Sequence, residues 1–322
     1  MTVAPLDTTT LTRRRRGPSV DRAFAWLTLG GGLVILVVLA GIAISTTQKA
    51  WPAFREEGLG FLLSDNWNPN EGEFGALAFV YGTAIVSLIA LVISVPMSVG
   101  IALFVNEVAP RRIKAFTITV MDLMAAVPSV VYGLVGFAVL RPEVKGLFNS
   151  IADAVSGIPV LSTIFGESQS GMSFMLAGLI LVLMVTPIIT SISREVFATV
   201  PEGDKAGALA LGATRYEMIR GVVVPHSFGG VVGAVMLGLG RAMGETIAVV
   251  LVIGASPQIV ANLFAPGEAM PSVIARNLNE SSGTYQAALI GLGVALFGLT
   301  IVVNMSARGI VSRLERRMRG AA

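Results

Sequence analysis

The sequence predicts an all-α, polytopic membrane protein with six transmembrane helices. Of its 322 residues, 54% are hydrophobic and only 13% are charged, a composition too apolar for an ordinary soluble domain. The apolar residues are gathered into long runs, and a helix of roughly 20 such residues crosses about 30 Å of hydrocarbon. Because these runs are continuous and do not alternate with a period of two, a β-barrel is disfavoured.

The six predicted spans follow one another along the chain. Most contain long uncharged runs, and the fifth span is interrupted only by Arg241 and Glu245. The uncharged part of the third span begins at Leu123, and we place the start of its helix near Ala115. The predicted spans are therefore residues 23–48, 74–106, 115–140, 168–193, 222–253 and 281–307.

Basic residues predict the orientation of these spans. Lysine and arginine are concentrated in both tails, in the loop between spans 2 and 3 and in the loop between spans 4 and 5, whereas the opposite loops hold few. By the positive-inside rule, both termini are cytoplasmic. The expected organisation is a cytoplasmic tail at 1–22, a six-helix membrane domain at 23–307 that includes a cytoplasmic loop at 194–221 (the coupling loop), and a cytoplasmic tail at 308–322.

Charge and cysteine content exclude some classes of function. The net charge of +3 follows from the topology and is no argument for nucleic-acid binding. The chain has no cysteine, so disulfides and thiolate metal sites are excluded, and we expect no metal site. No G-x-x-x-x-G-K-[ST] phosphate cradle is present either, so we expect no ATP binding and no enzymatic activity of the chain itself.

The coupling loop has the features of an exposed helix-turn-helix. Pro201 permits a helix start, and Glu202 and Asp204 favour the positive end of that helix. Gly212 suits a left-handed residue that ends it, and a second short helix from Arg215 returns to the membrane. Such a unit can dock on a soluble ATPase and pass rigid-body motion to the neighbouring spans. The alternative is an ordinary interfacial loop.

Two ionisable residues in the fifth span are candidates for a substrate pathway. Arg241 and Glu245 are four residues apart, so on a continuous helix they share one face and can form an ion pair. Ions inside a membrane are costly, and they commonly mark a transport pathway. We expect Arg241 to donate to the oxygens of an anion and Glu245 to compete for its guanidinium group. A static ion pair between helices is the alternative.

Hydroxyl groups on spans 3 and 4 are further candidates. Ser129, Tyr132, Thr186 and Thr190 carry hydroxyls that can donate to a passing oxyanion. Hydroxyls in membrane helices also bond to neighbouring backbone carbonyls, which remains the alternative for all of them.

Several motifs resemble those of one transporter family. In the coupling loop, Ala206-Gly207-Ala208, then Gly212 and Val222-Val223-Val224-Pro225, resemble the EAA-x3-G-x9-I-x-L-P coupling motif of ABC importer permeases, with Ala206 in place of the motif glutamate. Across the membrane portion, the chain looks like the phosphate-specific ABC importer permeases of the PstC type. This resemblance is carried by YGT at 81–83, PSVVYG at 128–133, TPIITSISRE at 186–195, ALALGAT at 208–214 and GRAMGETIAVV at 240–250.

The resemblance implies an assembly as well as a fold. It implies a type I importer permease fold in a prokaryotic inner membrane. Its expected partners are a PstA-like permease subunit, two PstB-like ATPase subunits, which use ATP and magnesium, and an extracytoplasmic phosphate-binding protein. The substrate would be inorganic phosphate, and the chain itself would bind no cofactor. The alternatives are a sulfate or molybdate permease of the same class, and an autonomous secondary transporter or channel.

Overall fold

The computed structural model describes residues 18–319, and they form a mainly helical protein. Arg13 to Arg16 and the end of the C-terminal tail lie outside these residues. The helices are α1 (Pro18–Glu57), α2 (Gly60–Leu63), α3 (Leu77–Leu103), α4 (Arg111–Ala126), α5 (Ser129–Val135), α6 (Arg141–Val155), α7 (Pro159–Ile164), α8 (Phe174–Ala198), α9 (Glu202–Ala210), α10 (Arg215–Met218), α11 (Val224–Gly244), α12 (Ile247–Val252), α13 (Met270–Asn277) and α14 (Gly283–Arg319). Three π-helical turns join some of these helices, at Phe104–Val108, Gly136–Leu140 and Ile219–Val223. A hairpin of strands β1 (Trp67–Asn68) and β2 (Glu73–Phe74) is the one sheet within residues 18–319.

The chain divides into two compact units, and the boundary between them in the sequence lies between Gln48 and Lys49. The described part of the first unit is the N-terminal portion of α1, along which apolar side chains such as Phe24, Leu33 and Ile42 are exposed. The second unit holds the remaining helices and the hairpin. An exposed apolar helix of this length is what a lipid environment requires.

The number of spans agrees with the sequence prediction. Among residues 18–319, five helices are long and apolar enough to cross a membrane, and a bent pair of helices makes the number six if it forms one span. This pair is the predicted third span, whose axis turns by 92° between Arg111–Ala126 and Ser129–Val155. Val127 before the bend is extended, because a residue that precedes proline is disfavoured in helical conformation. The third span is therefore broken at Pro128.

The core of the second unit lies where α3, α8 and α11 pack together. Glycine allows the close approach of these helices. A Cβ atom added to Gly178 would lie 2.4 Å from the Ile89 side chain, and one added to Gly238 would lie 2.8 Å from Ile189. Small residues at helix contacts are the usual basis of packing in membranes, where no hydrophobic force drives helices together.

The first turns of α3 hold the segment between α12 and α13 in place. The Tyr81 hydroxyl donates to the Val260 carbonyl at 2.6 Å, and the Met270 amide donates to the Thr83 hydroxyl at 2.9 Å. Between these contacts, a Cβ atom on Gly82 would lie 1.9 Å from the Glu268 carbonyl oxygen. The loop that follows α12 therefore lies in a notch at Gly82 of α3, a space that the side chain of any other residue would fill.

Candidate functional site

The fifth span is also broken, and the short helix after its break packs on the short helix after the break in the third span. Helix α11 ends at Gly244, and α12 begins at Ile247. The short helices that follow the two breaks, α5 and α12, pack against each other. Their contact is close at Gly133, where an added Cβ would lie 2.8 Å from the Cα atom of Ala248. The fold thus packs together the two short helices that follow positions where backbone groups lose their helical hydrogen bonds.

Glu245 lies in the break of the fifth span. Its backbone is extended, with φ −69° and ψ 128°, and its carboxylate accepts a bond of 3.4 Å from the Ala248 amide at the start of α12. The Thr246 hydroxyl donates to the Gly244 carbonyl at 3.2 Å. The carboxylate therefore caps the second half of the broken helix, and an acidic group is favourable at such a helix start.

The ion pair of Arg241 with Glu245, which their spacing allows on a continuous helix, is not formed in this conformation. Arg241 lies in the last turn of α11 and is exposed on the single chain. Within residues 18–319 its side chain forms no ion pair, because α11 ends at Gly244 and Glu245 no longer lies on the same helical face. What the structure presents is a free guanidinium group one turn before a break in the helix.

The hydroxyl candidates of the third span lie at its break. Ser129 is half-buried in the first turn of α5. Tyr132 is half-buried as well, and its hydroxyl donates a hydrogen bond of 2.8 Å to the Met124 carbonyl near the end of α4. For Tyr132, the bond to a backbone carbonyl that we considered as an alternative is the one observed.

The two threonine candidates lie elsewhere. Thr186 and Thr190 are 2% and 3% exposed in α8, within the helix core. Within the part of the chain that the structure describes, their hydroxyl oxygens have no hydrogen-bond partner, although the Thr186 carbonyl accepts from Ser98 at 3.1 Å. A buried hydroxyl without a partner costs about 1–3 kcal/mol. Neither group shares the exposed surface of Arg241 in this conformation.

The coupling loop forms the helix-turn-helix that its sequence predicts. Helix α9 follows Pro201, and Gly212 has a left-handed φ of +90° after its end. Helix α10 begins with a capping box in which Thr214 and Glu217 bond to each other's backbone amides. The hydrogen bond from the Thr214 backbone lowers the pKa of Glu217 below the ordinary glutamate value.

An exposed surface on the coupling loop combines small and apolar residues. Ala206 and Gly207 are exposed and Ala208 is half-buried, while Pro225 is exposed at the start of α11. Three larger apolar side chains are also uncovered: Leu209, Leu211 and Tyr216, of which Leu211 is 92% exposed. Exposed apolar side chains gathered on one segment are typical of a docking surface.

Sequence reasoning missed a buried ion pair beneath the coupling loop. The Lys205 ammonium on α9 lies 2.8 Å from a carboxylate oxygen of Glu107, and the two side chains are only 10% and 7% exposed. Glu202 contacts the same ammonium at 3.3 Å, with a side chain that is 90% exposed. Burial alone would lower the pKa of Lys205, but hydrogen bonds and charge from Glu107 and Glu202 raise this pKa above the ordinary lysine value.

The chain matches one family of transport proteins over most of its length. Residues 94–320 match the family described as binding-protein-dependent transport system inner membrane component. Among curated proteins, the chain is similar to the phosphate transport system permease protein PstC of Mesorhizobium japonicum, with 39% identity over 94% of this chain and 93% of that protein. It is likewise 38% identical to the PstC protein of Haemophilus influenzae, covering 92% of this chain and 95% of that one. A third relative is PstC 1 of Mycobacterium tuberculosis, 35% identical over 94% of this chain and 95% of that protein.

Solved structures show the same fold. The chain is similar to a chain of a bacterial alginate ABC transporter with a TM-score of 0.60, covering 92% of this chain and 97% of that one at 14% identity. A chain of the MetNI methionine ABC transporter, solved in inward-facing conformations, gives a TM-score of 0.51 over 74% of this chain and 94% of that one at 16% identity. These likenesses confirm the predicted type I ABC importer permease fold.

Proposed function

This chain belongs to the family of binding-protein-dependent transport system inner membrane components, and we propose that it is a PstC-like permease subunit of an ATP-driven phosphate importer. In this role it forms half of the translocation pathway and couples to a separate ATPase. The proposal rests chiefly on the near full-length likeness to several proteins named as phosphate transport system permeases.

The free guanidinium of Arg241 supports an anionic substrate. A guanidinium group offers planar paired donors that match the oxygens of phosphate. Arg241 is exposed on the single chain, one turn before the break at Glu245, so a second permease placed against this surface would enclose it in a shared pathway. Glu245, which caps α12, limits how tightly the site holds an anion, because a carboxylate nearby disfavours a second negative charge.

The partners follow from the same proposal. The coupling loop would dock its exposed Leu211 and Tyr216 on one of two PstB-like ATPase subunits, which supply ATP hydrolysis with magnesium. A PstA-like permease would complete the pathway, and an extracytoplasmic phosphate-binding protein would deliver the substrate. With the coupling loop in the cytoplasm, both termini are cytoplasmic, as the distribution of basic residues predicts.

Co-purification followed by reconstitution tests this function. The tagged chain is purified from a membrane that also contains its candidate partners, the complex is placed in vesicles, and ATP hydrolysis and anion accumulation are measured. We expect phosphate delivered by its binding protein to stimulate both, and sulfate and molybdate to stimulate neither. Stimulation by sulfate or molybdate alone would overturn the choice of substrate. Transport by the chain without any ATPase would overturn the membership in an ATP-driven complex.

A further inference from the structure

The turn that follows α3 contacts the coupling loop through two hydrogen bonds and an ion pair. Asn106 and Glu107 lie in the π-helical turn Phe104–Val108, between the end of α3 and the start of α4. The Asn106 side-chain amide donates to the Arg194 carbonyl at 2.7 Å, at the end of α8. The Glu107 carboxylate binds Lys205 of α9 at 2.8 Å, and the guanidinium of Arg215 donates to the Glu107 carbonyl at 3.3 Å. We name these two residues the Asn106–Glu107 clasp.

The contacts of the clasp are unlike an ordinary surface ion pair. Glu107 and Lys205 are 98 residues apart in the chain, and both side chains are nearly removed from solvent. Exposed pairs contribute little and exchange readily with water, whereas a buried pair is strongly destabilised when one partner is removed. The clasp therefore fixes where α9 lies relative to the turn after α3.

The clasp also stands at the start of a broken helix. Helix α4 begins at Arg111, four residues after Glu107, and runs to the break at Pro128. Beyond the break, α5 packs on α12, the short helix capped by Glu245. A displacement of the coupling loop is passed covalently to α8 and to α11, whose end is the break at Glu245. It reaches α4 and the break at Pro128 through packing contacts, namely those of α8 on α4 and those of the clasp.

We propose that Glu107 and Lys205 are positioning residues that make the coupling loop and the start of α4 move as one body, so that motion at the ATPase surface reaches both helix breaks. This inference rests on the proposed role of residues 194–221 in coupling. The π-helical form of the turn is consistent with it, since π-turns interrupt regular helices and are frequent at functional sites. Helix α8 also packs on α4, and the pair of Glu107 with Lys205 adds to that contact a direct link between α9 and the turn that precedes α4.

The test uses the assembled complex in vesicles, with three variants of the pair formed by Glu107 and Lys205. Glu107→Gln and Lys205→Met each remove one charge, and the double change Glu107→Lys with Lys205→Glu reverses the pair. Glu202→Gln is the matched control, because Glu202 binds the same ammonium from an exposed position. The measured quantities are the yield of complex, the rate of ATP hydrolysis and the amount of phosphate accumulated per ATP.

We expect each single change to lower phosphate accumulated per ATP by about tenfold while ATP hydrolysis continues. The reversed pair should recover much of the loss, and Glu202→Gln should match the unchanged protein. Single variants that assemble and keep the full ratio of phosphate to ATP would overturn the proposal. If phosphate accumulation is absent from the unchanged complex, the proposed substrate fails, and the clasp is then judged by how far the binding protein stimulates ATP hydrolysis.

If the single variants do not assemble, a cross-link tests whether the coupling loop and the start of α4 move as one body. The chain lacks cysteine, so Glu107→Cys with Lys205→Cys can be joined selectively by a short bis-methanethiosulfonate linker. A pair that moves as one body tolerates this link, and we expect linked and reduced complexes to have the same ratio of phosphate to ATP. A linked complex that stops transport until it is reduced would show that the contact opens in every cycle, which contradicts the proposal.

Discussion

The hydroxyl of Tyr132 donates a hydrogen bond of 2.8 Å to the backbone carbonyl of Met124, so one side chain joins the two halves of a broken helix. Within its own end of the broken helix, the Met124 carbonyl accepts only a long bond of 3.4 Å from the Val127 amide, because the chain leaves the helical path at Val127. The Tyr132 hydroxyl adds a shorter bond to this carbonyl from the other side of the 92° bend. Tyr132 thus stabilises the bent form of the third span.

Tyr132→Phe should weaken this bent form without removing its packing. The ring remains, and the loss of one hydrogen bond costs about 1 kcal/mol, so we expect uptake to fall by no more than about tenfold with normal assembly. Transport rates in vesicles measure the effect, with Ser150→Ala as the control, because it removes an exposed hydroxyl that donates to the Gly146 carbonyl within α6. A loss of more than about a hundredfold would instead indicate that the hydroxyl acts on the substrate itself.

Arg241→Gln should abolish phosphate uptake while the complex still assembles. Glutamine fills similar space but offers no charge, and among the described residues 18–319 the guanidinium has no ion-pair partner whose loss would destabilise the fold. Arg241→Lys is the control that keeps the charge and removes the paired donors. Uptake and yield of complex are measured side by side, and uptake by Arg241→Gln within about twofold of normal would exclude a substrate role.

Glu245→Gln should impair transport by a different route. The side-chain oxygen of glutamine still accepts the hydrogen bond of the Ala248 amide, but it carries no charge to oppose a bound anion. We therefore expect slower release of the anion and a lower turnover rate. Because Arg241 and Glu245 do not pair here, the double variant should be no better than Arg241→Gln alone. Recovery of uptake in the double variant would reveal a static ion pair that forms in another conformation, since removing both partners of such a pair is tolerated better than removing one.

Gly212→Val should uncouple ATP hydrolysis from uptake without preventing membrane insertion. An added Cβ meets open space at Gly212, so the cost arises from the left-handed φ of +90°, about 1–2 kcal/mol for a residue with a side chain. Gly212→Asn is expected to be milder, because asparagine tolerates this conformation. Gly203→Ala, at a helical glycine of α9 with equally open surroundings, is the control. Full coupling in Gly212→Val would rule out this turn as a determinant of docking.

Gly82→Ala should destabilise the complex, and Gly100→Ala on the same helix should not. An added Cβ at Gly82 would lie 1.9 Å from the Glu268 carbonyl, a backbone atom that can move only with its loop, whereas nothing lies within 4 Å of Gly100. Strain of this kind commonly costs about 1–3 kcal/mol. Thermal unfolding of the purified complexes measures the difference. Equal unfolding temperatures for the two variants would mean that the loop is not held in the notch.

Sequence reasoning succeeded where one physical signal dominates. Long apolar runs predicted the spans, and the start at Pro201 with the turn at Gly212 predicted both short helices of the coupling loop. Each of these signals is local, because a span depends on its own hydrophobicity and a turn on the conformational freedom of one residue.

The errors and omissions arose where distant parts of the chain decide the outcome. Arg241 and Glu245 have the spacing of a helical pair, and nothing in Gly244-Glu245-Thr246 announces a break, which packing against α5 stabilises. A proline at position 128 explains an interruption of the helix, but the 92° bend exceeds what one proline requires. The pair of Glu107 with Lys205 spans 98 residues, and without knowledge of the fold no pattern connects them.

The notch in α3 has a consequence for how the protein is made. Thr83 accepts the amide of Met270, a residue 187 positions later, and Tyr81 donates to Val260 across 179 positions. A chain synthesised from its N-terminus therefore inserts α3 and α8 well before the segment that fills the notch between them exists. Until Met270 has been synthesised, Thr83 has only the Phe79 carbonyl of its own helix as a partner, so this end of the bundle is completed late in synthesis.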